Sequence, residues 1–282
     1  MSVSKQSARK PEVLAPAGDE SALHAALAAG ADAVYFGLQE GFNARARAGN
    51  FSFDTLDATV ARIHRAGAKA YLTLNTLIFE PELEFVERAV RRAAECGVDA
   101  LIVQDPAVAV LARAICPALE VHASTQMTVS SPEGARFAAS LGATRVVVPR
   151  ELSVAEIRRF AEHSDIELEV FIHGALCVSW SGQCATSEAW GGRSANRGEC
   201  AQSCRLPYEL VLDGEVRALG DVKYLLSPKD LAGLRAVEEL AAIGVHGLKI
   251  EGRQKNAQYV ATATETYRHW VDALADGAQA AD

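Results

Sequence analysis

Four cysteines, Cys177, Cys184, Cys200 and Cys204, stand within 28 residues of chain. Six residues separate the first two, fifteen the middle two and three the last two. Three kinds of chemistry fit such a cluster. The plainest is four unrelated thiols. Structural zinc is the second, since it accepts four thiolates, but its usual CxxC knuckles are missing from both pairs. An iron–sulfur cluster is the third; it also takes four thiolates, and it tolerates wide, uneven spacing because the chain wraps a large inorganic core. Gly174, Gly182, Gly191, Gly192 and Gly198 surround the cysteines and leave backbone free to approach sulfide. They favour the cluster, while spacing alone leaves zinc open. Cys96 and Cys116 sit in helical stretches beside Ala, Leu or Ile and read as small core hydrophobes.

Other familiar chemistry is absent or subordinate. None of the seven histidines begins an HExxH motif, there is no GxSxG elbow, and the CxxxCxxC pattern of radical S-adenosylmethionine enzymes is missing. Cys177 and His173 could pair as nucleophile and base. Four clustered cysteines are nevertheless better explained as ligands than as one nucleophile with three bystanders. Between Arg193 and Arg205, where Arg197 also falls, the only acid is Glu199.

The elements that must position these residues form a repeat. A short apolar run is followed by polar or Gly punctuation, then a helical pattern, then a Gly turn. Gly30, Gly97, Gly142 and Gly244 each follow a helical pattern and precede an apolar run. Eight runs read as parallel strands: 12–15, 33–37, 68–75, 100–104, 119–124, 145–149, 167–173 and 247–251. Alternating strands and helices, eight times over, predict a (β/α)8 TIM-like barrel. The rival is an open doubly wound sheet, which expects a Gly-rich phosphate loop after the first strand; the turn there is Ala-Pro-Ala-Gly-Asp. One connection is far longer than the rest and runs from strand seven to strand eight. It holds the cysteines, a hairpin with Asp213-Gly214 at its turn, and a helical stretch over 227–243. The insertion proper is 174–226, the single barrel domain 11–282, and residues 1–10 a disordered tail.

Barrels place their chemistry at the C-terminal ends of the strands. Asn43, Arg45, Asn75, Gln104, Arg150, His173, Glu251 and Arg253 fall there. His122, Ser124 and Gln126 alternate, so an extended strand would aim all three into the barrel. They either bind something or form a hydrogen-bonded core network. Glu251 and Arg253 form either a rim ion pair or a substrate contact. His173 and Glu251 are the candidate catalytic groups; for His173 the alternatives are support of the cysteine loop or simple packing. Arg45, Asn75, His122, Gln126, Arg150, Arg193, Arg197 and Arg253 are the candidate substrate-binding residues. Such a basic mouth suits a phosphate-bearing or dicarboxylate ligand. Trp180, Trp190 and Tyr208 either stack a flipped base or pack the loop.

Composition agrees. The 282 residues, 49% hydrophobic, support one large core. A net charge of −8 excludes a globally basic nucleic-acid binder but not a locally basic site. No apolar run reaches the roughly 18 residues of a membrane span, and the polar start lacks a signal core, so a cytoplasmic protein is expected.

The segment Glu169-Val-Phe-Ile-His-Gly-Ala-Leu-Cys177, followed by Ser181-Gly-Gln-Cys184, resembles the signature of the collagenase-like peptidase family U-32. Leu14-Ala-Pro-Ala-Gly18, Gly30 to Gly37, Asn43-Ala-Arg45, Ser124-Thr-Gln-Met127 and Lys249-Ile-Glu-Gly-Arg253 extend the match over nearly the whole chain. The segment Gly191 to Tyr208 is most similar to the ribosomal-RNA cytidine hydroxylase branch. The resemblance implies an iron–sulfur protein that hydroxylates an RNA base, ribosomal cytidine or transfer-RNA uridine, without molecular oxygen and with a prephenate-like oxygen donor. A collagenase-like peptidase and a hydroxylase subunit of ubiquinone biosynthesis are the alternatives. By resemblance Cys177, Cys184, Cys200 and Cys204 hold a 4Fe–4S cluster, with zinc as the alternative. Several members take their last cysteine from the position that reads Ala232 here, so Cys204 is implied as the fourth ligand. The ribosomal-RNA branch also carries a long C-terminal extension. Either that extension is missing from the chain, which ends at Asp282, or the protein is a shorter paralogue; a protein partner is the further expectation.

Overall fold

In the computed structural model, which describes residues 10–277, eight parallel strands close on themselves. They are β1 (Glu12–Pro16), β2 (Ala33–Gly37), β3 (Lys69–Leu74), β4 (Ala100–Val103), β5 (Glu120–Ala123), β6 (Arg145–Val147), β7 (Glu167–Gly174) and, after three short strands of the insertion, β11 (Gly247–Ile250). Neighbours in sequence are neighbours in space as far as β7, which pairs with β11, and β11 closes the ring on β1 with Glu12 opposite Gly247. This is the expected TIM-like barrel.

Helices α1 (Glu20–Ala28), α2 (Leu56–Arg65), α3 (Leu83–Glu95), α4 (Pro106–Ile115), α5 (Pro132–Ser140) and α6 (Val154–Glu162) follow the first six strands. Their starts are local chemistry. The carboxylates of Asp19 and Asp105 and the hydroxyls of Ser131 and Ser153 accept from first-turn amides, each such cap contributing about 1 kcal/mol. The glycines expected to end helices, Gly30, Gly97, Gly142 and Gly244, all have positive φ.

The main core lies between strands and helices, with Leu23, Val60, Ile63, Val90 and Leu101 buried there. A smaller cluster fills the barrel: Leu14, Ala33, Tyr35, Tyr71, Ala100 and Ile102. Below and beside it the interior is ionic. Arg145 donates to Glu12 at 2.7 Å and to Glu167 at 2.6 Å, and Lys249 donates to Glu169 at 2.7 Å. Charges this deep persist only when paired.

The long connection contains α7 (Thr186–Gly191), a hairpin of β8 (Leu210–Leu212) and β9 (Glu215–Arg217), and β10 (Leu231–Ala232), which runs antiparallel to the end of β7. The helix expected over 227–243 is much shorter. Gly233 N–H donates to Ile172 C=O at 2.7 Å and Ala232 pairs with His173, which holds this stretch extended against β7. Regular helix begins only at α8 (Val237–Ile243). α9 (Ala257–Ala275) closes the barrel and packs on α1. The expected tail at 1–10 lies outside the described residues except for Lys10, which pairs with Asp272.

Candidate active site at the barrel mouth

Four residues fold the cysteine segment over the C-terminal ends of the strands. Arg205 donates to Leu176 C=O, Ser227 Oγ and Pro228 C=O at 2.6–2.7 Å, which ties both ends of the insertion together. Arg197 donates to Leu77 C=O and to both carboxylate oxygens of Glu82, pinning the middle of the segment to the chain after β3. Gly182 and Gly198 make the closest approaches. A Cβ at Gly182 would lie 2.3 Å from Gln126 C=O and one at Gly198 2.4 Å from Asn43 C=O, and both residues have positive φ. Only glycine fits there.

All four cysteines then line one cavity, as free thiols. Cys200 Sγ accepts from Gln202 N–H at 3.4 Å and from Ser187 Oγ at 3.9 Å. Burial raises the pKa of Cys184, but the Ser179 hydroxyl and the Thr186 amide and hydroxyl outweigh it and hold the thiol below its ordinary value. Among the described residues, no three His, Cys, Asp or Glu side chains are spaced to grip a single metal ion.

Below the cysteines the wall is cationic. Glu251 Oε2 accepts from Arg45 at 3.1 Å and from Arg150 at 2.6 Å. Burial pushes the Glu251 pKa up, yet Arg45, Arg150 and Arg253 more than offset it and hold it at about 2. Arg150 lies 3.8 Å above the Phe171 ring. Arg253 does not pair with Glu251; it donates to Asn43 at 3.2 Å and Thr73 at 2.9 Å. The Nε–H groups of Arg150 and Arg253 are buried without a hydrogen-bond partner. Asn75 is fixed by the Ala44 amide and by Ser124. The ammonium of Lys249 forms part of the floor, 4.4 Å from the Tyr35 ring centre.

The structure therefore brings together Arg45, Asn75, Gln126, Arg150, Glu251, Arg253 and the four cysteines. It places four other candidates elsewhere. His122 is inside the barrel but below the cavity, edge-on to Tyr71 and 3.2 Å from Glu120. Its alternation with Gln126 breaks because β5 ends at Ala123 and residues 125–127 turn as a 3-10 helix. His173 faces outward. The pairing steps from Lys249↔Phe171 to Ile250↔His173, so Ile172 is an extra residue on β7. Such a bulge re-aims the next side chain. His173 thus meets Tyr267 Oη, 3.3 Å from Nδ1, and shares a separate cleft with Ala232 and Tyr259. Burial lowers its pKa below the ordinary histidine value. Arg197 is spent on Glu82, and Arg193 is not among the lining residues. Trp180 lines the cavity, whereas Trp190 packs on Tyr208 with ring centres 5.8 Å apart.

Sequence reasoning missed Lys249, Tyr35, Thr73 and Phe171. The signal for Lys249 was present: a lysine inside an apolar parallel strand must point into the barrel or be buried among helices.

The fold and this mouth define a barrel protein with a cysteine-lined, arginine-walled cavity where (β/α)8 enzymes work. The chain belongs to peptidase family U32, whose family model matches residues 18–282. It is 44% identical over 268 residues to a 23S rRNA 5-hydroxycytidine synthase of Escherichia coli, covering 95% of this chain and 40% of that protein. It is 38% identical over 270 residues to tRNA hydroxylation protein P1 of Bacillus subtilis, covering 94% of this chain and 64% of that one. A collagenase of Porphyromonas gingivalis is 37% identical over 281 residues, covering 94% and 66%. The chain thus spans less than two thirds of each of these relatives. The solved structure of the U32 peptidase Mk0906 superposes with a TM-score of 0.59 at 14% identity over 89% of this chain and 96% of that one. At that identity it attests the fold. No helix among the described residues is long and apolar enough to cross a membrane.

Proposed function

We propose that this chain is the catalytic barrel of an oxygen-independent hydroxylase of an RNA base, acting in the cytoplasm. The observation that carries the reading is the meeting of four free cysteines with Arg45, Arg150 and Arg253 in one cavity. The names of the relatives in E. coli and B. subtilis point the same way. Cys177, Cys184, Cys200 and Cys204 bring four thiolates to one cavity, the donor set that a 4Fe–4S cluster takes. Bound there, the cluster supplies redox and Lewis-acid chemistry toward an oxygen donor.

The residues of the chain do the rest. Arg45, Arg150 and Arg253 line the cavity with guanidinium groups that suit an anionic ligand, an RNA phosphate or a prephenate-like dicarboxylate donor. Glu251 is fully ionised, so it orients Arg45 and Arg150 rather than moving a proton. Asn75, Ser124 and Gln126 offer neutral polar groups to a base edge. His173, turned out of the cavity on β7, packs against Tyr267. Trp180 at the mouth offers a stacking face.

Mass spectrometry of ribosomal and transfer RNA from a deletion strain tests the reading. Loss of one hydroxylated nucleoside, restored by the full-length gene, supports it. Unchanged RNA together with peptide hydrolysis that survives removal of all four cysteines would favour the peptidase reading instead.

A further inference from the structure

The hairpin of β8 and β9 stands clear of the barrel. Every residue of both strands is exposed, including Leu210, Val211, Leu212 and Val216. Val222, Tyr224, Leu225 and Leu226, which follow it, are exposed as well. A lone two-stranded hairpin is marginal in water, and an apolar patch this continuous marks an interaction surface. The surface carries alternating apolar residues and single charges of both signs, which suits protein rather than nucleic acid.

The outer edge of β9 specifies the partner. Among the described residues the hairpin sheet has only two strands, so that edge is unpaired. Leu212 faces Glu215 across a two-residue turn, Asp213-Gly214, with φ of 53° and 83°. In that geometry Glu215 and Arg217 spend their backbone groups on β8, and Val216 turns its N–H and C=O to the free edge. The edge therefore reads Glu215-Val216-Arg217. This triplet is complementary to itself when run antiparallel. A two-fold axis through Val216 would let the two valines exchange both backbone hydrogen bonds. It would also set each Glu215 opposite the other copy's Arg217 in the closer, non-hydrogen-bonded positions. Val211 lies opposite Val216 in the hairpin, so the two copies would join four valines on one face.

We propose that the free edge of β9 pairs with β9 of a second copy of this chain, forming a two-fold dimer through a four-stranded sheet. Such an isologous contact closes on itself and hides the exposed edge. The proposal is independent of the reaction catalysed.

Light scattering coupled to size-exclusion chromatography tests it at micromolar concentration. The chain should run at twice its monomer mass. Glu215→Arg and Arg217→Glu should each run as monomers, since each sets like charges opposite one another. An equimolar mixture of the two variants should recover the dimer, because every Arg then meets a Glu. Recovery on mixing also shows that both variants are folded. A wild-type chain of monomer mass overturns the proposal, as do single variants that remain dimeric.

Discussion

Arg150 Nη2 donates to Glu251 Oε2 over 2.6 Å, which joins the end of β6 to the end of β11 across the barrel mouth. Arg45 reaches the same oxygen from the loop after β2. One carboxylate thus anchors two of the cavity's arginines. Glu251→Gln keeps the shape and removes the charge. It should destabilise the fold by about 3 kcal/mol, because buried arginines lose their counterion. Urea denaturation measures this, and an unchanged midpoint would show that the arginines relax into solvent instead.

The ligand set makes a second prediction. Cys204→Ser should lower iron content in anaerobically purified protein, whereas Cys96→Ser and Cys116→Ser should leave it unchanged. Iron analysis and the visible spectrum read both. Unchanged iron in Cys204→Ser would move the fourth ligand elsewhere, and a colourless protein with one zinc would replace the cluster with a single ion.

Loop docking can be tested without touching a ligand. Gly198→Ala forces a Cβ against Asn43 C=O in a left-handed conformation, a strain of about 1–3 kcal/mol. The cysteine segment should lift, so iron content falls and proteolysis within 174–226 speeds up. Ala substitution at Gly191, which has open space around it, is the control.

Acid sensitivity should trace to the barrel floor. Burial raises the Glu12 pKa, but Arg145 and Lys69 outweigh it and hold it at about 2, against an ordinary 4.5. The folded value is the lower one. Its stabilisation is therefore complete above about pH 4.5 and is lost as pH falls toward 2. The shift corresponds to about 3 kcal/mol. Urea midpoints measured from pH 7 downward should fall below pH 4.5 in the wild type and less steeply in Glu12→Gln.

His173 and Arg150 divide the two kinds of site residue. Arg150→Met should abolish nucleoside hydroxylation, while His173→Ala should retain it within about an order of magnitude and keep its iron. Loss of activity in His173→Ala at full iron occupancy would return that histidine to the reaction.

The barrel could be read from the chain because its cause is local. A parallel strand buried on both faces is a short apolar run, and a helix ends where a glycine adopts positive φ. The cysteine cluster was readable for the same reason: its residues are close in sequence. Depth and direction inside the barrel were not. His122 faces inward as alternation requires, but its height relative to the cavity depends on how neighbouring strands are staggered. His173 follows the inward-facing Phe171 by two, and one extra residue at Ile172 turns it out. Glu251 and Arg253 look like a pair two residues apart, yet β11 stops at Ile250 and their partners come from other segments, the loop after β2 and strand β3. The sequence alone determined which elements form and which residue types gather at the mouth, since propensity, capping and periodicity act over a few residues. Only tertiary structure decided which of those side chains share the cavity, because stagger, bulges and strand ends are settled by contacts between segments far apart in the chain.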